Sequence, residues 1–135
     1  MSSSPKPPKR KLSERKQLDA ECMKLLKQIV RLRDKTCVTP GPHCGGYLTA
    51  SHWQKRGKQW TRYDLRNVNC QCANCNGRHN RYTSFYDTYM LKKYGYEVCL
   101  ELSERASVNA FKWSLPELRT IHEQLEMYLD ILKKG

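Results

Sequence analysis

The sequence has no long apolar run and few acidic residues. No stretch approaches the roughly eighteen apolar residues that cross a bilayer, and the opening MSSSPKPPKRKLSERK lacks the apolar segment of a secretory signal. We therefore expect an intracellular protein with no membrane partner. In a reducing compartment its seven cysteines are not expected to form a disulfide framework, and closely spaced pairs there are more often metal ligands.

The scarcity of acids leaves a strongly basic chain. There are 13 Asp and Glu against 25 Lys and Arg, a formal net charge of +12. Residues 17–99 hold fourteen basic and six acidic side chains, whereas 100–135 hold five and six. A field of this sign favours a polyanionic partner, with nucleic acid first. The alternative is ordinary solubility charge, which usually mixes both signs.

A chain of 135 residues is expected to form one domain. Residues 1–12 are predicted to be a disordered basic arm, and 13–135 a single α+β domain. The pattern SLPE at 114–117 is a capping box that opens the last helix. The predicted parts of the domain are an N-terminal helix (13–35), a zinc-stapled core (37–83) and C-terminal helices (84–135).

Four cysteines in the predicted core form two pairs. Cys72 and Cys75 make a C-x2-C pair, and Cys37 and Cys44 a looser C-x6-C pair. Four thiolates suit tetrahedral zinc, which staples a loop-rich segment that has little apolar surface to bury. His43 is an alternative to one cysteine as a ligand. The other three cysteines are expected to be small buried side chains. They are Cys22, Cys70 and Cys99.

The core contains a second pattern of polar residues. His52 ends a predicted strand, YLTASHW, and Asn67 begins the next, NVNCQ. Asn76 follows on a helix predicted to start near Cys72. This order is that of the HNH, or ββα-metal, nuclease motif, in which the histidine activates water and a divalent cation stabilises charge on phosphate.

Longer segments extend the resemblance. CGGYLTASHW, RYDLRNVNCQCANCN, YMLKKYG and KWSLPEL resemble the phage lambda NinG family, also called Rap, of recombination endonucleases. The resemblance covers residues 17–133. The C-x-x-C-N ending is more distantly similar to phage T4 endonuclease VII, a zinc-containing HNH-type enzyme.

This resemblance implies a metal-dependent endonuclease that cleaves branched DNA, such as Holliday junctions and displacement loops, in the bacterial host cytoplasm during phage recombination. It implies His52 as general base, Asn76 as a ligand of one catalytic Mg²⁺ or Mn²⁺, and Asn67 as the residue that holds the loop or orients His52. The two cysteine pairs would hold structural zinc.

The chain departs from that pattern at one place. Related nucleases often carry an acidic metal ligand just before the histidine, whereas this chain reads TAS before His52. Asp64 is the candidate replacement, and its alternative role is to fix its own loop. His79 and Asn80 lie one helical turn beyond Asn76 and are further candidates for a ligand or a phosphate contact.

Basic side chains around the motif are expected to contact phosphate without reading sequence. Three aromatic residues are expected either to stack on unpaired bases or to belong to the core. A homodimer joined through the C-terminal helices would suit symmetric cutting of a junction. The competing hypothesis is a non-catalytic, zinc-stapled nucleic-acid-binding module. The predicted DNA contacts are Lys55, Arg56, Lys58, Arg62, Arg66, Arg78, His79 and Arg81, and the aromatic residues are Trp53, Trp60 and Tyr63.

Overall fold

The computed structural model describes residues 4–6 and 12–135. Most of the predicted basic arm therefore lies outside the described residues. The described part is a mixed α+β domain of five helices and one two-stranded sheet, which confirms the predicted class. Its elements in chain order are α1 (Glu14–Asp34), β1 (Leu48–His52), β2 (Val68–Cys72), α2 (Ala73–His79), α3 (Ser84–Tyr94), α4 (Tyr96–Ala106) and α5 (Leu115–Lys134).

The two long helices, α1 and α5, pack against each other, and α1 also covers one face of the sheet. Helix α1 begins after Ser13, whose hydroxyl accepts the Lys16 N–H. Helix α5 begins at the predicted capping box of Ser114 and Glu117, in which both reciprocal hydrogen bonds are present. Their apolar stripes supply most of the main core. Its buried members are Cys22, Leu26, Ile29, Val30, Tyr63, Val68, Cys70, Leu118, Leu125 and Leu129.

Strand β2 is buried along its whole length. It pairs antiparallel with β1, from Leu48 opposite Cys72 to His52 opposite Val68. Because side chains alternate along a strand, Val68 and Cys70 enter the core beneath α1. Asn69 points the other way and donates to the Tyr86 hydroxyl of α3 at 3.1 Å. The sheet is therefore held between two helical layers.

The end of α1 fixes the position of β2 through two charged side chains. Arg33 donates to the carbonyls of Leu65 and Val68, each at 2.9 Å. Its neighbour Asp34 accepts the Cys70 N–H at 2.9 Å. These contacts satisfy backbone groups that would otherwise be buried without partners.

Helices α3 and α4 form a smaller second cluster on the other side of the sheet. Its buried residues are Tyr86, Met90, Cys99 and Leu102. The Tyr86 hydroxyl donates to the Ser51 carbonyl at 2.7 Å and so joins this cluster to β1. Cys22, Cys70 and Cys99 are buried, as predicted. Among the described residues, no helix is both long and apolar enough to cross a membrane.

Candidate metal centre and adjoining cleft

The four predicted zinc ligands meet at one point. The Sγ atoms of Cys37, Cys44, Cys72 and Cys75 all lie within 4.8 Å of one another, and those of Cys44 and Cys75 are 3.7 Å apart. Tetrahedral zinc with Zn–S bonds of about 2.3 Å places its sulfurs about 3.8 Å apart. The cluster therefore fits a metal ion such as zinc. His43 is not part of this group.

Backbone amides already support a thiolate at Cys72. This residue caps α2, and its Sγ accepts the N–H groups of Cys75 and Gly45, each at 3.4 Å. Burial opposes ionisation of Cys72, but the amides outweigh it and lower its pKa to about 6. Burial, together with competition among the neighbouring thiols, raises the pKa of Cys75 to about 12. A bound cation would favour the thiolate form of all four.

The first cysteine loop is docked onto the start of α2, which explains how the C-x6-C pair reaches the C-x2-C pair. The Ala73 N–H donates to the Tyr47 carbonyl at 2.8 Å, and the Asn74 N–H donates to the Gly45 carbonyl at 3.1 Å. Gly46 has a φ of +84°, and a Cβ there would lie 2.9 Å from the Cβ of Ala73. Glycine is needed at this contact for both reasons.

His52, at the end of β1, is held as a neutral base. Its Nε2 lies 2.9 Å from the carbonyl oxygen of Arg62. Since a carbonyl can only accept, Nε2 carries the proton and Nδ1 keeps its lone pair. The pKa of His52 is lowered to about 4, mainly by burial and also by the charges of Arg62 and Arg56, against the opposing effect of the hydrogen bond to the carbonyl. The imidazole of His52 is therefore uncharged at neutral pH, and Nδ1 carries no proton.

The Arg62 carbonyl is itself anchored from α1. The Arg62 guanidinium donates to both carboxylate oxygens of Asp19, at 2.8 and 2.9 Å, and the Tyr63 hydroxyl donates to the same carboxylate. This bidentate pair fixes the segment that orients His52. Arg62 is also a predicted DNA contact, and in the structure its guanidinium is paired with Asp19 while its carbonyl positions the histidine.

His52 and Asn76 line the same open cleft, which has a volume of about 500 Å³. The Asn76 side chain is oriented by β1, since Oδ1 accepts from the Ser51 hydroxyl and Nδ2 donates to the Thr49 hydroxyl, each at 3.0 Å. Further residues predicted for the site share this cleft. They are Lys55, Arg56, His79 and Asn80.

Asn67 lies behind the cleft and is fully buried. Its Oδ1 accepts the Gln54 N–H at 2.7 Å, and its Nδ2 donates to the carbonyls of Gln54 and Thr61, each at 3.1 Å. These bonds join both ends of the basic loop between the strands. Of the two roles considered for Asn67, its contacts match the holding of the loop.

The structure does not bring Asp64 together with Asn76. The Asp64 carboxylate accepts hydrogen bonds from the backbone N–H of Arg66 at 2.9 Å and from the Arg66 guanidinium at 2.9 and 3.1 Å. The same guanidinium donates to Glu101 on α4 at 2.9 Å. Asp64 therefore has the alternative role considered for it, fixing its own loop, and Arg66 is engaged in ion pairs instead of facing the cleft.

The cleft nevertheless contains a carboxylate that the sequence analysis missed. Asp87 on α3 lines it, and its Oδ1 accepts the indole N–H of Trp53 at 2.8 Å. Asp87 belongs to no motif, and its only signal in the sequence is that it is the one acid between Asp64 and Glu97. The fold brings it beside the residue that follows His52.

The remaining predicted DNA contacts lie around the cleft in different settings. Lys58 donates to Asn109 at 2.8 Å. The Arg78 guanidinium lies over the Tyr82 ring, 5.0 Å from its centre. Arg81 is exposed just beyond α2.

The described residues thus define a small α+β protein with a cluster of four cysteines that could hold a metal ion, next to a basic cleft. A family model described as Bacteriophage Lambda NinG protein matches residues 3–134. The match spans almost the whole chain, and the chain belongs to the NinG family, as the segments above predicted. No curated protein and no solved structure matches it.

Proposed function

We propose that this NinG-family protein is a metal-dependent endonuclease of the HNH type, distantly similar to phage T4 endonuclease VII, that cuts branched DNA during phage recombination. The observation that carries the proposal is the state of His52. Its Nδ1 holds a lone pair at neutral pH, and it lines the same basic cleft as Asn76. A base and an oxygen ligand that line one open cleft suit phosphodiester hydrolysis.

In this reaction His52 accepts a proton. Nδ1 takes the proton of a water molecule as the water oxygen attacks phosphorus, and the bond from phosphorus to the leaving sugar oxygen breaks. The leaving oxygen takes a proton from solvent water. The bond from Nε2 to the Arg62 carbonyl persists throughout and stabilises the imidazolium that forms. Nδ1 then returns its proton to solvent.

The oxygen groups in the cleft fit a hard divalent cation. Mg²⁺ prefers oxygen ligands and usually keeps several waters. Asn76 offers an amide oxygen, and Asp87 supplies the carboxylate that is missing before His52. When bound, the cation supplies positive charge that stabilises the phosphate and the leaving oxygen.

The basic rim and the zinc centre complete the proposed machinery. Lys55 and Arg56 are exposed on the cleft wall, where they are free to contact backbone phosphate. Zinc at the cysteine cluster would hold the start of α2, and hence Asn76, against the loop before β1. A homodimer would present two such clefts to the two strands of a junction.

The test of this proposal compares a labelled four-way junction with a linear duplex of the same sequence, each incubated with the wild-type protein and Mg²⁺ or Mn²⁺. Selective cutting of the junction, abolished by chelation of the divalent cation, supports the proposal. Binding of the junction without cutting in either metal would overturn it and favour the non-catalytic zinc module.

A further inference from the structure

A small apolar cavity lies beside the cleft, between the first cysteine loop and helices α2 and α3. Its volume is about 90 Å³, and His79 belongs to the walls of both the cavity and the cleft. A space of this size is far below that of a drug-sized pocket and admits only a small group. Its apolar walls include Pro40, Pro42, Tyr82, Phe85 and Tyr86.

Two aromatic rings in the wall of this cavity are exposed to solvent. The exposed fraction is 54% for Tyr82 and 57% for Phe85. The Arg78 guanidinium lies over the Tyr82 ring and adds positive charge at the rim. Exposed rings beside a fixed cation form the kind of surface on which nucleobases stack.

The cavity continues into a groove that carries more positive charge. Phe85 and Pro40 line both spaces, and the groove, of about 500 Å³, extends along α3 to Lys92 and Lys93. An apolar cavity with Arg78 in its wall, joined to a groove lined by two lysines, matches the alternation of base and phosphate along a single strand.

The aromatic residues first predicted to stack on DNA are engaged elsewhere. The Trp60 ring stacks on Phe111, with 4.5 Å between their centres. Tyr63 is only 7% exposed and donates to Asp19. The Trp53 indole donates to Asp87. Tyr82 and Phe85 are therefore better placed than these three residues to stack on an unpaired base.

We propose that the exposed rings of Tyr82 and Phe85 in the cavity wall stack on one unpaired nucleobase of a DNA strand whose backbone follows the groove of Lys92 and Lys93. This inference rests on the proposed function and names the feature of the DNA that the protein recognises. Unpaired bases occur where strands exchange or separate, so the cavity directs the cleft to branch points instead of continuous duplex. His79, shared by both spaces, sets the bound base next to the cleft.

The experiment measures the affinity of the full-length, zinc-loaded protein for a short fluorescein-labelled oligothymidine and for a labelled duplex. Affinity is measured by fluorescence anisotropy without added Mg²⁺ or Mn²⁺. The test variants are Phe85→Ala and Tyr82→Ala. The control is Tyr96→Ala, which removes a ring that is 70% exposed and lines none of these spaces. All three positions are exposed, so the fold and the zinc content, checked by circular dichroism and metal analysis, are expected to stay unchanged.

Each test variant is expected to weaken oligothymidine binding by between about fivefold and 150-fold, the range for loss of one base–aromatic stack. Duplex binding and the Tyr96→Ala control are expected to stay at the wild-type level. Unchanged oligothymidine affinity, or an equal loss on both DNAs, would overturn the cavity proposal alone. A wild-type protein that binds neither DNA would instead remove the proposed function on which it rests.

Discussion

The buried neutral histidine makes a prediction about stability that needs no DNA. The pKa of His52 falls from an ordinary value of 6.5 to about 4 in the folded protein, with burial as the main cause. Between these two pH values the unfolded chain binds a proton that the folded chain does not. The free energy of unfolding therefore falls as the pH is lowered through this window, and the contribution of His52 is fully present above pH 6.5.

The size of this effect follows from 1.36 kcal/mol per pH unit. Going from pH 7 to pH 5, the folded protein loses about 2 kcal/mol through His52 alone. The variant His52→Gln removes the titration and retains an amide N–H near the place of the imidazole Nε2, which donates to the Arg62 carbonyl. The wild type is therefore expected to lose about 2 kcal/mol more than the variant over this range.

Urea unfolding of the two proteins at pH 7 and pH 5, at a fixed zinc concentration, measures this difference. The cysteine cluster and the other histidines are the same in both proteins, so their contributions largely cancel in the comparison. A difference in stability between wild type and variant that is equal at both pH values would refute the account of His52 as a buried neutral base.

Three further predictions concern neighbouring residues. Cys72→Ala is expected to lose the zinc of the proposed centre and much of the stability, whereas Cys70→Ala, whose side chain faces the core, is expected to keep the zinc. Metal analysis and thermal unfolding check both variants, and zinc retained by Cys72→Ala would contradict the proposed centre. Asn67→Ala leaves buried backbone groups of the loop without hydrogen-bond partners and is expected to lower the free energy of unfolding by about 2 kcal/mol, measured in urea. Hydrogen exchange in residues 53–61 should rise as well, and unchanged exchange would show that Asn67 does not hold the loop. Asp87→Asn keeps an acceptor for the indole N–H but removes the charge, so half-maximal cleavage should need at least about tenfold more Mg²⁺; an unchanged Mg²⁺ requirement would exclude Asp87 as a ligand.

Much of the backbone was predictable because the local signals agree with one another. The capping box at Ser114 and the glycine at 95 lie where helices α5 and α3 begin and end. The C-x2-C pair was predictable for a related reason. A knuckle whose first cysteine caps a helix needs only local geometry, which sequence spacing encodes directly.

The sequence did not reveal the partners of charged residues that lie far away in the chain. Arg62 forms an ion pair with Asp19, 43 residues earlier, and Arg66 forms one with Glu101, 35 residues later. Spacing cannot distinguish an arginine that is free for phosphate from one that a distant helix neutralises. Asp87 was missed for the same reason, because tertiary packing alone places α3 beside the cleft.

The central claim is that His52 removes a proton in hydrolysis of DNA. The most direct measurement is the single-turnover rate of cutting on a prebound four-way junction for wild type, His52→Ala and the control His122→Ala, which alters a histidine on α5. The account predicts that His52→Ala binds the junction as wild type does and cuts it about 10²- to 10⁴-fold more slowly. His122→Ala should cut at the wild-type rate. Cutting by His52→Ala at the wild-type rate would contradict the claim.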